Sequence, residues 1–313
     1  MDMSVIFISE FITSQALETL KAQHSVIYQP EAYQDPRQMA DSLATAQAWI
    51  VRNLTKVSRE LVEGAKHLKV VGRLGVGLEN IDLNACAERG IRVIPAAGAN
   101  ADSVAEYVLG TSMALMRSYR EATIETLAGK WPRPTYSKCH EIAGKTIGIV
   151  GFGSIGRVVA EKALALGMRC IAYDPFIKDY SISVKGGTVP ICSLPDVLSQ
   201  SQIVTLHLPL LPETKGLFNQ ALLDEMQEGA YLINTARGGI VDELALAQSL
   251  KSGKLGGAAL DVFAVEPAKD LSHFVGVPNL ILTPHVAGVT EESNARVSSM
   301  IAREVNLFLE KNT

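Results

Sequence analysis

Cysteine is scarce and unpatterned in this chain: Cys86, Cys139, Cys170 and Cys192 are its four, and none stands in a CxxC pair. That excludes a disulfide frame or a cysteine-built zinc site. With Cys170 in a predicted core strand, the four read as reduced, mostly buried thiols, and no metal is expected. No apolar run approaches the ~20 residues of a membrane span. Neither sign of charge dominates, with 29 basic against 33 acidic residues, so neither nucleic acid nor an anionic membrane is an expected partner. The N-terminus has no basic stretch ahead of a short apolar core. It reads as a first strand rather than an export signal, and the sequon-like Asn53-Leu54-Thr55 as a chance match. Repeats, low-complexity tracts and long linkers are missing too. The expectation is a soluble, cytoplasmic protein whose 313 residues suffice for about two domains and a sizeable core.

What the chain does have is alternation of strand-like and helix-like segments, the pattern of an α/β protein with parallel sheets covered by helices. Strands are predicted at 5–8, 26–28, 49–51, 70–72 and 92–94, with helical patterns such as 14–22 and 39–46 between them. Further strands are predicted at 146–150, 170–173, 203–206, 231–234, 258–261 and 280–282. A helix over 102–116, capped by Asp102 or Ser103, should carry the chain into the second set of strands. The segment 131–134, with Pro132 and Pro134, breaks helix formation and reads as a loop. A last helix over roughly 291–310 should return to the first domain. The expected organisation is two lobes, 1–99 with 287–313 and 100–286, each a parallel sheet flanked by helices, with an interlobe cleft that closes on a hinge.

The second set of strands opens on the most informative stretch. The predicted strand 146–150 runs into Gly151-x-Gly153-x-x-Gly156, a helical pattern follows to Leu166, and the strand 170–173 ends on Asp174, 18 residues past the last glycine. This strand–turn–helix–strand context is what dinucleotide binding requires. Gly151 permits the tight turn, Gly153 leaves room for a pyrophosphate, Gly156 lets helix pack on strand, and the helix N-terminus offers N–H groups to the phosphates. Asp174 would accept hydrogen bonds from ribose hydroxyls and repel a 2′-phosphate, which favours NAD over NADP. A nucleotide fold normally begins with this motif, so the leading strands should form a separate domain.

Three charged residues then stand just past predicted strands of the same sheet, where open α/β sheets place their ligands: Arg237 in Asn-Thr-Ala-Arg-Gly-Gly, Glu266 in Leu-Asp-Val-Phe-Ala-Val-Glu-Pro, and His285 in Thr-Pro-His-Val-Ala-Gly. Together with the run from Val70 through Gly75-Val76-Gly77 to Leu83, these motifs resemble the D-isomer-specific 2-hydroxyacid dehydrogenase family over nearly the whole chain, and within it the phosphoglycerate dehydrogenases.

That resemblance implies a flavodoxin-like substrate domain, a Rossmann cofactor domain and NAD-dependent hydride transfer to or from C2 of a small 2-hydroxy acid, of the D isomer by family habit. It places the catalytic set on Arg237, Glu266 and His285. A histidine with an ordinary pKa near ~6.5 suits the acid/base role, a carboxylate partner fixes its tautomer, and an arginine fork suits a planar carboxylate. Further cofactor contacts are implied at Ser154, Ile155, Leu208, Thr235, Ala236, Asp261 and Gly288, besides Arg237 and His285 themselves. Substrate contacts are implied at Asn53 and Leu54 and at the carboxylate-binding loop of Gly75, Val76 and Gly77. Arg52, Arg73 and Arg133 match positions of positive charge near a distal phosphate. They favour a doubly anionic substrate such as 3-phosphoglycerate or sulfolactate over glycerate or hydroxypyruvate. The sequence stops 28 residues past His285, so a C-terminal regulatory domain is not expected. Family resemblance and the apolar segment 102–140, with Leu127, Trp131 and Tyr136, together imply a homodimer. Corepressors similar to this family keep the same triad, so an NADH-sensing binding protein stands as the alternative of another class. Formate dehydrogenase is disfavoured, because its pattern has glutamine where this chain has Glu266.

Overall fold

Short apolar runs bounded by turn residues become strands, and the helices between them cover both faces of each sheet. The computed structural model describes residues 3–312, which form two units, 3–100 with 289–312 and 101–288.

In the first unit, β1 (Val5–Ile8), β2 (Ser25–Tyr28), β3 (Ala48–Val51), β4 (Val70–Arg73) and β5 (Arg92–Pro95) make a parallel sheet of order β2-β1-β3-β4-β5. All four residues of β3 are buried, as a strand covered on both faces demands, and Trp49 stacks on Phe7 of β1 with ring centroids 6.3 Å apart. Helices Ser14–Lys21 and Glu291–Lys311 close one face around Leu20, Ile301 and Val305. Leu43, Val62 and Cys86, from helices Pro36–Leu43, Arg59–Gly64 and Leu83–Glu88, close the other. The last helix lies so close to β4 that a Cβ on Gly72 would stand 2.7 Å from a methyl of Ile301 and 2.8 Å from one of Val305. From β1 the chain moves to β2 on one side and then to β3 on the other, so the loops after β1 and β3 flank a topological switch point.

In the second unit, β6 (Thr146–Val150), β7 (Arg169–Tyr173), β10 (Ile203–Leu206), β11 (Ala230–Asn234), β12 (Leu255–Leu260) and β13 (Leu280–Leu282) form a parallel sheet of order β13-β12-β11-β10-β6-β7. The strands β8 (Ser181–Val184) and β9 (Gly187–Pro190) form a separate antiparallel hairpin. Here the switch point lies between β6 and β10. Cys170 is buried in β7, and burial pushes its thiol up to about 12. No helix among the described residues is long and apolar enough to cross a membrane.

Several local expectations are corrected. The helix expected at 39–46 spans Pro36–Leu43, because Asp35 caps it by accepting from the N–H groups of Arg37 and Gln38 and Pro36 sits in its first turn. The helix expected from 102 spans Ala101–Met116, which puts Asp102 in its first turn rather than at its cap. The proline segment expected as loop holds a single helical turn, Arg133–Tyr136, with Pro134 where a missing N–H costs nothing. β12 starts three residues ahead of the expected 258. Gly256 and Gly257 lie within the sheet, where a Cβ would strike the backbone oxygens of Gly229 and Asn279.

Candidate active site

The turn after β6 is built by its glycines. Gly151 has φ +95°, and a Cβ there would lie 2.5 Å from the carbonyl oxygen of His207, which follows β10. A Cβ on Gly156 would lie 2.4 Å from the carbonyl of Gly151, so the helix Ser154–Ala165 can start only hard against the turn. Gly153 faces open space and caps that helix without a side-chain acceptor. The N–H groups of the first turn, where Ser154 and Ile155 sit, are thus left for an anion. Asp174, just past β7, holds this turn by accepting from Phe152 N at 2.9 Å through Oδ2, while Oδ1 accepts from Phe176 N at 3.0 Å. Each oxygen keeps a lone pair for a further donor.

Three features agree that a dinucleotide fits here: the open space at Gly153, the carboxylate at the end of β7, and Thr235 Oγ1, which is buried with no hydrogen-bond partner among the described residues. Leu208 is buried beside Gly151. His207 was not anticipated from sequence. Its Nε2 pairs with Thr205 Oγ1 at 3.1 Å, its Nδ1 is buried without a partner among the described residues, and burial pushes the imidazole down to about 3, so it is neutral at ordinary pH.

Past β11, Asn234 is buried and shapes the next loop. Its Oδ1 accepts from Ala236 N at 3.0 Å and its Nδ2 donates to Arg237 O at 3.1 Å. Arg237 Nη1 in turn donates to Ala236 O at 2.7 Å. Gly238 then passes so near the loop after β12 that a Cβ would stand 1.6 Å from Phe263 O. This brings the Arg237 loop against the Glu266 loop, because Phe263 N donates to Glu266 Oε1 at 3.0 Å. The other oxygen, Oε2, meets His285 Nδ1 at 2.7 Å. Among the three charged residues anticipated, Glu266 and His285 are in direct contact, and Arg237 is one loop contact away.

His285 has φ +57°, in the left-handed region, where histidine is tolerated better than most residues. Asp261 holds it there. Its backbone oxygen accepts from His285 N at 2.8 Å, Oδ1 accepts from Val286 N and Oδ2 from Ala287 N, both at 2.8 Å. Gly288 ends the same turn, at the end of the unit. The His285 side chain is 49 % exposed, which leaves Nε2 open to a reacting group.

In the first unit the relevant loops follow β1, β3 and β4. Glu10, buried past β1, accepts from Arg52 N at 2.8 Å, Leu54 N at 3.1 Å and Thr55 N at 2.8 Å. Asn80 Nδ2 donates from the other side to the carbonyls of Arg52 and Thr55, each at 2.7 Å. The loop is gripped on its donors and its acceptors, and it presents Asn53 and Leu54 outward. Arg52 lies over the Phe11 ring, 5.7 Å from its centroid, and donates to Asn294 Oδ1 at 2.6 Å. Partial burial lowers its pKa and the nearby Glu10 charge opposes that, but a guanidinium stays charged at any working pH. Arg73, one strand over, folds back on its loop with Nη1 2.8 Å from Leu74 O. Gly75 makes that possible, since a Cβ there would meet the guanidinium at 1.8 Å. The amides of Val76 and Gly77 donate to no protein group among the described residues. Arg133 stands exposed on its helical turn in the other unit.

Glu10, Asn80, Asn234 and Gly238 escaped the sequence reading. Only the Gly-Gly pair after Arg237 carried a signal, the usual mark of a close backbone approach.

A family model described as "D-isomer specific 2-hydroxyacid dehydrogenase, NAD binding domain" matches residues 109–287. The chain is 46 % identical over 297 residues to an (S)-sulfolactate dehydrogenase of Chromohalobacter salexigens, covering 95 % of each protein. It is 34 % identical over 300 residues to a D-3-phosphoglycerate dehydrogenase of Archaeoglobus fulgidus, covering 96 % of this chain and 56 % of that longer protein. Among solved structures, a D-lactate dehydrogenase from Aquifex aeolicus complexed with NAD and lactic acid superposes with a TM-score of 0.82 at 27 % identity, over 98 % of this chain and 96 % of that one.

Proposed function

Because the chain belongs to the D-isomer specific 2-hydroxyacid dehydrogenase family, and so to the NAD-dependent oxidoreductases that act on the CH–OH group of a 2-hydroxy acid, we propose that its substrate carries a second anion beyond the carboxylate, a sulfonate or a phosphate. The observation that carries this reading is Arg52. It is a partly buried guanidinium whose one side-chain hydrogen bond among the described residues goes to a neutral amide, while the nearby carboxylate of Glu10 is committed to backbone N–H groups. Desolvated positive charge held in one place without a carboxylate partner suits an anionic ligand group. Arg73, on the neighbouring strand, adds positive charge beside it. In the first unit, the free amides of Val76 and Gly77 after Gly75 are assigned to the substrate carboxylate, with Asn53 and Leu54 bordering it. The 46 % identity to a protein named (S)-sulfolactate dehydrogenase favours the sulfonate.

Bound at the Gly151 turn, NAD would accept or supply the hydride at C2. In reduction, His285 Nε2 donates a proton to the C2 oxygen while Glu266 Oε2 accepts from Nδ1, which fixes the tautomer and steadies the positive charge; oxidation reverses the transfer. Arg237 holds the substrate carboxylate and polarises the C2 oxygen. The turn of Gly151, Gly153, Ser154, Ile155 and Gly156 holds the pyrophosphate and Asp174 the adenosine ribose. Leu208, Thr235, Ala236, Asp261 and Gly288 border the rest of the cofactor.

The substrate test is NADH oxidation with sulfopyruvate, 3-phosphohydroxypyruvate and hydroxypyruvate. The two doubly anionic acids should give kcat/KM at least ~10-fold above hydroxypyruvate, one charge-assisted contact being worth about 1.5–3 kcal/mol, and Arg52→Met should abolish that preference. Equal use of all three acids, or a preference that survives Arg52→Met, would refute the second anion.

Two further substitutions should separate. His285→Gln should lose ~10²–10⁴ in turnover while still binding NADH, because only proton transfer is removed. Asp174→Ala should weaken NADH binding and narrow the gap to NADPH, read by fluorescence titration. Near-native turnover in the first, or an unchanged cofactor preference in the second, would remove that residue from its assigned role.

We also assign the exposed apolar side chains of 119–131 to a twofold contact with a second copy of the chain. Leu127 and Trp131 are 83 % and 81 % exposed, with Tyr119 and Ile124 beside them in sequence, more apolar surface than a free helix and loop usually carry. Light scattering at micromolar concentration should return twice the 33.6 kDa chain mass, and a single-chain mass would refute the contact.

A further inference from the structure

The turn that carries His285 is also tied from below. Thr283 Oγ1 donates to Asp261 Oδ1 at 2.6 Å, which uses its one hydroxyl hydrogen. The 2.6 Å contact between Tyr107 OH and Thr283 Oγ1 must therefore run from the phenol to the threonine. The result is a directed chain, Tyr107 to Thr283 to the buried Asp261 carboxylate, whose two oxygens hold Val286 N and Ala287 N directly after His285. Tyr107 sits on the helix Ala101–Met116, which packs against β12 and β13 and is pinned there a second time by Asn279 Nδ2 donating to Leu115 O at 3.2 Å. Burial raises the pKa of the phenol, so it remains a donor throughout the working range.

We propose that Tyr107 is a positioning residue for proton transfer. Through Thr283 and Asp261, its hydroxyl sets the His285 turn so that the imidazole points its Nε2 at the reacting oxygen. The inference rests on the reading of His285 as the acid/base. Short hydrogen bonds in series reinforce one another, and all three groups are mostly shielded from water, so the loss of one end is felt at the other. Asp261 without the Thr283 bond keeps its two backbone donors but loses the constraint on where the carboxylate plane lies. A small misplacement of a catalytic group is costly to rate and cheap to stability.

The test removes one oxygen. Tyr107→Phe keeps the ring and its packing. With whichever 2-oxo acid of the panel the native protein reduces best, kcat should fall by ~10-fold, with KM and NADH affinity within twofold of native. The solvent deuterium isotope effect on kcat should rise, because proton transfer becomes slower relative to other steps. Thr283→Ser, which keeps the hydroxyl, should behave as native, and Thr283→Val should reproduce the Tyr107→Phe defect. In protein labelled with ¹⁵N-histidine, the His285 ring signals, assigned by their loss in His285→Gln, should shift or broaden in Tyr107→Phe and stay in place in Thr283→Ser. A Tyr107→Phe protein that merely unfolds at lower temperature, with kcat, isotope effect and His285 signals as in the native protein, overturns the proposal. Failure of the native protein to reduce any panel acid would count against the substrate reading, while the ring signals would still decide this one.

Discussion

A carboxylate taken out of water must be surrounded by donors, or it takes up a proton and stops being a carboxylate. Asp261 is 1 % exposed, and the protein surrounds it with the Thr283 hydroxyl and the amides of Val286 and Ala287. The geometry of the second unit's site follows from that demand. Three donors from one short turn can reach one carboxylate only if the turn folds tightly over the end of β12. The left-handed backbone of His285 is part of that fold. Once the turn is closed, His285 Nδ1 stands at Glu266, and Glu266 in turn is held by Phe263 N in the loop leaving Asp261. The contact between Glu266 and His285 is thus a product of one buried carboxylate and the donors recruited to satisfy it.

The first unit repeats the device with different residues. Glu10 is 4 % exposed and accepts three backbone N–H groups from the loop after β3. Both carboxylates sit past the C-terminal ends of parallel strands, and Glu10 stands beside its sheet's switch point, where neighbouring loops diverge and leave room for a ligand. Each carboxylate shapes a loop through its backbone. Among the described residues Arg52 makes no hydrogen bond to a carboxylate, because Glu10 binds the main chain and leaves the guanidinium to an amide and an aromatic ring.

Much of this was legible in the sequence because it depends on local chemistry. The parallel strands announce themselves as short apolar runs, the glycine turn as a spacing, and Arg237, Glu266 and His285 as charged residues just past strands. What escaped depends on distant partners. Nothing near Glu10 in sequence indicates that it will grip residues 52–55, and nothing near Tyr107 indicates Thr283, 176 residues away. The strand expected from 258 begins at Leu255, because Gly256 and Gly257 leave room for neighbouring backbone that the local sequence does not display. The Arg133–Tyr136 turn went unseen for the converse reason: two prolines signal a break, yet both fit where a helix begins.

The claim that one buried carboxylate organises the His285 turn is tested most directly by Asp261→Asn, which preserves shape but replaces one acceptor oxygen with a donor facing another donor. Single-turnover hydride transfer from prebound NADH, followed at the nicotinamide absorbance, isolates the effect on the reacting geometry from cofactor affinity. The account predicts a fall of ~10²-fold or more in that rate for a protein that stays folded. A rate within twofold of native would show that the His285 turn is held by something other than Asp261.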